Sequence, residues 1–553
     1  TVNCVKYSNI QDKWDDSTEN ILGAFGIGGG NSAGDAQGGS AVVNVSGGSL
    51  NCNGGNIGGG NSESGMGGDA AIKVSGGILD CASIGGGNSI SGKPGSVTST
   101  TQEAGVVISG GNLKAGTIGG GTNQNGDIGF ATAIISGGNI QGQFILANTD
   151  TSKQCKFTMT GGTINNDKLD TENYKKAQKN GGAVYLSDPN GEVNISGGTI
   201  KNSRAELGGA IYMTAGTFSF SGTGAIFDCE AQKGGAVYIL DGSAMIQGGT
   251  MGAVIDNKEH PNIAINGGGA YLASGSLTIS GGQISQNTAQ NGAGAYLQDG
   301  NLIINGTGAI LSNKATANGG GAYLAGGNLQ MNGGSVSGNT AKNGAGSYLS
   351  GGELNISGGN TEGNIAAADG GGVYLAGGQL SISDGKMISN IAKNGAGAYV
   401  ADSTVRIFAG SFEKNKASEN GGGIYVSSEK QPADVVIRSG KLIGNTAGTS
   451  DTTSNQGNGG AIAVVSANAA NADHVIIGLR KDHKIKDYST RAFDEFEYDD
   501  DKDNNTKHTH AFCPQIMDNT ASGNGGGIYM NSSKSTLDIY CLLEKSNEAV
   551  KDD

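Results

Sequence analysis

The chain has 553 residues, of which 104 are glycine, 5 proline and 1 tryptophan, and its formal net charge is −14. Glycine at this level without a three-residue period, and with so little proline, excludes collagen and a proline-rich linker. The negative charge argues against nucleic acid as a partner, and no run approaches the roughly 18 apolar residues of a membrane span, so direct membrane insertion is not expected of this chain.

Residues 1–25 hold Trp14 and Phe25 among few glycines. They read as an N-terminal cap, because an uncovered first rung of a repeat protein invites edge pairing. The opening TVNCVKYSNI is not a signal peptide, so a signal peptide and an anchor are expected to be absent from this chain. Residues 26–175 repeat IGGGNS at 27–32, 57–62 and 84–89, then IGGGTN at 118–123. Between them VVNVSGGSLNC, AIKVSGGILDC and VVISGGNLKA alternate apolar and polar residues, the period of short strands. GIGGGNS resembles a phosphate-cradling loop, but it lacks the Lys-Ser/Thr ending and recurs along the segment, so phosphate binding is set aside. Cys52 and Cys81 occupy equivalent places in consecutive repeats. Stacked buried thiols and a disulfide across adjacent rungs are both open, since a strand spacing of about 4.8 Å lies inside the permitted Cα separation.

From 176 to 465 the repeat becomes regular. Tyr185, Tyr212, Tyr238, Tyr271, Tyr296, Tyr323, Tyr348, Tyr374, Tyr399 and Tyr425 lie 25 to 27 residues apart, with one interval of 33. NGAGAY and NGGGAY alternate within this run, giving a larger period of 51–52 residues. Each unit carries three short alternating runs, as in AYL (322–324), NLQMN (328–332) and SVSGN (335–339). Alone such a unit has no core; stacked on its copies it buries a continuous apolar column. The expectation is an all-β chain forming a single right-handed parallel β-helix of about 20 coils, with three short strands per coil. Because aliphatic residues follow each tyrosine, alternation turns the aliphatics inward and the phenols outward as a ladder. Tyr271, Tyr296, Tyr323, Tyr348, Tyr374, Tyr399 and Tyr425 form the candidate binding stripe, since phenols combine apolar area with a hydrogen-bonding tip. A second column, Asn287, Asn313, Asn339, Asn364, Asn390 and Asn415, always has alanine two places later and reads as a structural amide ladder at a turn. Cys229 stands in this asparagine's place in an earlier coil.

Residues 466–515 break the pattern with an acidic insertion, and 516–553 read as the last coil and the C-terminal end. The insertion contains Asp499, Asp501 and Asp503, then His508 and His510. Clustered carboxylates are candidate Ca2+ ligands and His-x-His a candidate zinc pair, although acid runs are usually solvated loops. Apart from this loop, no cofactor is expected.

GGAV (181–184, 234–237) and GGAI (208–211, 459–462), with the apolar-x-x-Asn series that includes FEKN (412–415), resemble the paired short motifs of the polymorphic outer membrane protein family. More broadly the chain resembles bacterial β-helical adhesins of the pectin-lyase-like fold class. The resemblance implies display on the bacterial cell surface or secretion, and binding to a host glycan or a host cell-surface protein without catalysis, here as a monomer. Pectate lyases and polygalacturonases use the same fold, which leaves a polysaccharide-active enzyme, lyase or glycosidase, as the alternative. A passive stalk is the third reading.

Overall fold

The structure, a computed structural model, describes residues 35–52, 55–98, 105–122, 124–167, 179–428, 430–448, 457–465, 472–478, 513–532, 534–540 and 542–549, together with 3–4, 27–28 and 31. It is an all-β parallel β-solenoid of about 16 turns, with no helix among the described residues. Two compact units make it up. The first comprises Thr1–Leu354 and Gly359–Ala367, the second Asn355–Gly358 and Ala368–Asp553.

In the first unit the tyrosine-bearing strands stack in register. Val184–Leu186 pairs in parallel with Ile211–Met213, and the column continues through Val237–Ile239, Ala270–Leu272, Ala295–Leu297 and Ala322–Leu324 to Ser347–Leu349. The residues flanking each tyrosine are buried, most of them completely, as the two-residue period of a strand requires. The second unit repeats this with Val373–Leu375, Ala398–Val400, Ile424–Val426, Ile462–Val465 and Ile528–Asn531.

Two expectations need correction. The turn count is about 16 rather than about 20, because some long stretches contribute one rung only. Thr446–Ala447 pairs directly with Thr520–Ala521 although 74 residues separate them, and an antiparallel hairpin, Ala253–Ile255 with Lys258–His260, is spliced into one turn. The later turns also carry a fourth short strand. In the first unit Ile263–Asn266, Thr288–Asn291, Lys314–Asn318, Thr340–Ala341 and Ile365–Ala366 stack in parallel, burying Ala264, Ala289, Ala315, Ala341 and Ala366. These are the alanines that follow the asparagine column, so their recurrence reflects a strand too short for the alternation rule to detect.

Of the 1–25 cap only the backbone of Asn3–Cys4 is described. It runs antiparallel to Ala41–Val45, through Asn3↔Asn44 and Cys4↔Val43. Within 466–515, residues 466–471 and 479–512 lie outside the described residues. His474–Ile477 does not behave as an insertion: it is a regular rung between Asp434–Ile437 and Thr536–Ile539, with Val475 and Ile477 inward.

The glycine-rich turns have a different interior. Glycines of opposite walls meet there with no side chain between them, in the hydrogen-bonded series Gly60 N–H to Gly39 O, Gly68 N–H to Gly60 O, Gly87 N–H to Gly68 O and Gly95 N–H to Gly87 O, at 2.7–2.9 Å. A Cβ on Gly59 would lie 1.7 Å from the Gly68 carbonyl oxygen. Only glycine permits this approach.

The residue before each asparagine of the column is left-handed from Asn287 to Asn519. Gln286 (φ 59°) and Ser312 (55°) hold this position in the first unit, and Ser389 (53°), Lys414 (55°) and Asp518 (55°) in the second. An L-residue pays about 1–2 kcal/mol there, against about 0.5–1 kcal/mol of extra chain entropy lost by glycine. The exposed Lys414→Gly is therefore expected to stabilise by about 0.5–1 kcal/mol, seen as a higher urea midpoint at unchanged slope. A lower midpoint would contradict the left-handed assignment.

Candidate functional site

The tyrosine rings are stacked face to face. In the first unit successive centroids from Tyr185 to Tyr348 are 4.8–5.5 Å apart, with interplanar angles of 3–18°. In the second, Tyr374 and Tyr399 stack at 4.5 Å and 4°, and Tyr425 tilts by 34°. The rings point away from the aliphatic core, but their π-faces are taken by one another. What the column offers outward is ring edges and hydroxyls, so a sugar cannot stack on a ring inside it.

The stripe is not evenly open. Tyr212, Tyr238 and Tyr271 are 6%, 7% and 1% exposed, whereas Tyr296, Tyr323 and Tyr348, like Tyr374, Tyr399 and Tyr425, are half-buried. Tyr271 must therefore be withdrawn as a contact residue. Its ring is sandwiched between Tyr238 and Tyr296, the Lys233 ammonium lies 5.1 Å from its centroid, and its hydroxyl donates to Gln298. The sequence signal was present. Leu207 and Lys233 occupy the corner position that Asn266 holds one rung later, and Leu207 packs on the buried rings. Burial pushes the phenol pKa values up: Tyr296 to about 12, through burial first and then its neighbours Tyr323 and Tyr271, and Tyr212, Tyr238, Tyr271, Tyr348 and Tyr425 in the same direction.

The asparagine column is wholly internal. In the first unit Asn287 donates its backbone N–H and its Nδ2 to Asn313 Oδ1, both at 3.0 Å, and Asn313 does the same to Asn339 Oδ1 at 2.9 and 3.0 Å. The second N–H of each amide reaches a backbone carbonyl, Met251 O from Asn287 and Ile284 O from Asn313. Asn364 Oδ1 accepts from Asn339 in the same way. In the second unit Asn390, Asn415, Asn445 and Asn519 repeat the arrangement. Buried amides with their bonds satisfied are scaffold, unavailable to a ligand. Cys229 donates its N–H to Asn262 Oδ1 where that ladder begins. Cys52 and Cys81 are free buried thiols, and burial pushes the Cys81 thiol up to about 12. Cys513 is disulfide-bonded.

Asp499, Asp501, Asp503, His508 and His510 lie outside the described residues. Among the described residues no group of three or more His, Cys, Asp or Glu side chains could hold a metal ion.

No family model, curated protein or solved structure matches this chain.

Two further outward features escaped the sequence reading. In the second unit charges converge on one strand face: Arg406 pairs with Asp434, and His474 lies 3.7 Å from Asp434 and 3.2 Å from Asp538. In the first unit the tyrosine column has a glycine continuation. Gly28, Gly58, Gly85 and Gly119 pair in register, Gly119 pairs with Ile145, and Ile145 with Tyr185. Where later rungs raise a phenol, these carry nothing beyond the backbone, and the surface sinks into an open groove of about 430 Å3. Aligning IGGG with the tyrosine tripeptides would have exposed the correspondence.

Proposed function

We propose that the chain is a non-catalytic binding module of the adhesin type, displayed on a bacterial surface or secreted, whose tyrosine columns contact a host glycan or a cell-surface protein. The observation that carries this reading is the rank of half-buried, near-coplanar phenols at Tyr296, Tyr323 and Tyr348. Pre-ordered aromatic edges lose little side-chain entropy on contact, and tyrosine is enriched where binding energy concentrates. The GGA[IV] and apolar-x-x-Asn motifs add the adhesin-like resemblance. A disulfide at Cys513 fits an oxidising, extracellular setting. The reading needs no cofactor, takes Ca2+ in the acidic loop as optional, and has the chain acting as a monomer.

Replacing Tyr296, Tyr323 and Tyr348 together by serine is expected to weaken binding to host cells or arrayed glycans at least about tenfold. Unchanged binding by a folded triple variant would remove the tyrosine face from the proposal.

A second reading, a polysaccharide-active enzyme, is favoured by the group Arg406, Asp434, His474 and Asp538, since such chemistry needs convergent carboxylates beside a basic residue. Against it, these side chains are committed to one another as cross-rung ion pairs, the ordinary role of charges opposed on neighbouring strands.

A further inference from the structure

We propose that the glycine-floored groove of the first unit is a binding site for a linear, uncharged polysaccharide laid along the solenoid axis. Three features argue for that ligand class. The floor is bare backbone, because Gly58, Gly85 and Gly119 stand where other rungs place tyrosine, so a flat chain can approach closely. The walls are built from Asn, Ser, Thr and Ile and, among the described residues, include no charged side chain; Glu63 stands beyond one rim. An anionic polymer would find no counter-charge there, and the chain as a whole carries −14.

The rims also repeat once per rung. Asn31, Asn61 and Asn88 each commit Oδ1 to the backbone N–H of the next rung, at 2.8 Å to Asn61, Asn88 and Thr122. This fixes the amide planes, and among the described residues no partner takes their Nδ2. On the opposite rim Asn56 Oδ1 accepts from Ser83 Oγ at 2.8 Å, with Thr117 next in the row. The result is parallel rows of oriented amides and hydroxyls at a spacing of about 4.8 Å, suited to a polymer that offers hydroxyls at every unit. An extended peptide repeats at about 3.3 Å and falls out of step. Ile145 closes one end, where the floor rises to the tyrosines.

This groove stands on residues other than the tyrosine face, so the two proposals can fail separately. The purified chain would be titrated calorimetrically with cello-, xylo-, manno- and chito-hexaose, and with polygalacturonate as the charged comparison. At least one neutral hexaose is expected to bind, more tightly than its trimer and than polygalacturonate. Gly85→Tyr extends the phenol ladder into the groove and should weaken binding at least tenfold. Gly85→Ala fits without backbone collision, its Cβ meeting the Gly119 oxygen at 3.4 Å, and should give a smaller loss. Tyr296, Tyr323 and Tyr348 changed to serine should leave this affinity unaltered. Should Gly85→Tyr misfold, the exposed pair Asn61→Ala and Asn88→Ala carries the test, again with a tenfold loss expected. Binding by no neutral hexaose, preference for polygalacturonate, or full affinity in the folded groove variants would overturn the proposal.

Discussion

Asn313→Leu is expected to lower stability by about 3–5 kcal/mol. The substitution leaves the buried N–H and Nδ2 of Asn287 without their acceptor and the Ile284 carbonyl without a donor. Each stranded group costs about 1–3 kcal/mol, and the added aliphatic surface recovers only part. Asn332 makes a similar cross-rung bond, to Asn305 at 3.1 Å, but at the surface, where water replaces a lost partner. Asn332→Ala should therefore cost less than about 1 kcal/mol. Urea unfolding followed by circular dichroism compares the two; equal losses would show that burial is not what makes the internal column matter.

The second large effect is alkaline. A phenol ionises near pH 10 in an unfolded chain, whereas Tyr212, Tyr238, Tyr271, Tyr348 and Tyr425 are raised by burial and Tyr296 reaches about 12. Above about pH 10 the folded state thus holds more protons than the unfolded one, so stability falls as pH rises. The contribution is fully present below the unfolded value and is lost as pH climbs through the folded values. Ionising one ring also places charge beside a neighbouring phenol about 5 Å away, which makes the next ionisation harder. Phenolate absorbance should rise late and together with loss of the strand signal, between about pH 10 and 12. Full ionisation near pH 10 with the strand signal intact would contradict the packed ladder.

Much of the fold was legible because its signals are local and repeated. Alternation around each tyrosine fixed which side faces inward, and the asparagine-x-alanine spacing marked a buried turn. The missing parts depend on what lies one rung away. That Leu207 and Lys233 cover rings, that Gly85 and Tyr185 belong to one column, and that 446 and 520 are neighbours cannot be read from one repeat in isolation. The site was half legible for the same reason. A stripe of phenols follows from period two, but the use of their faces by one another follows only from stacking, and it changes which part of the ring a ligand can touch.

The account holds that the outer surface binds and does no chemistry. Incubating the purified chain with neutral and acidic polysaccharides, then assaying both retention on the polymer and released reducing ends or unsaturated products, tests this most directly. The expected result is retention with no product above a buffer control. Product formed by the native chain and lost in Asp434→Asn would contradict the account and place an active site on the charged face of the second unit.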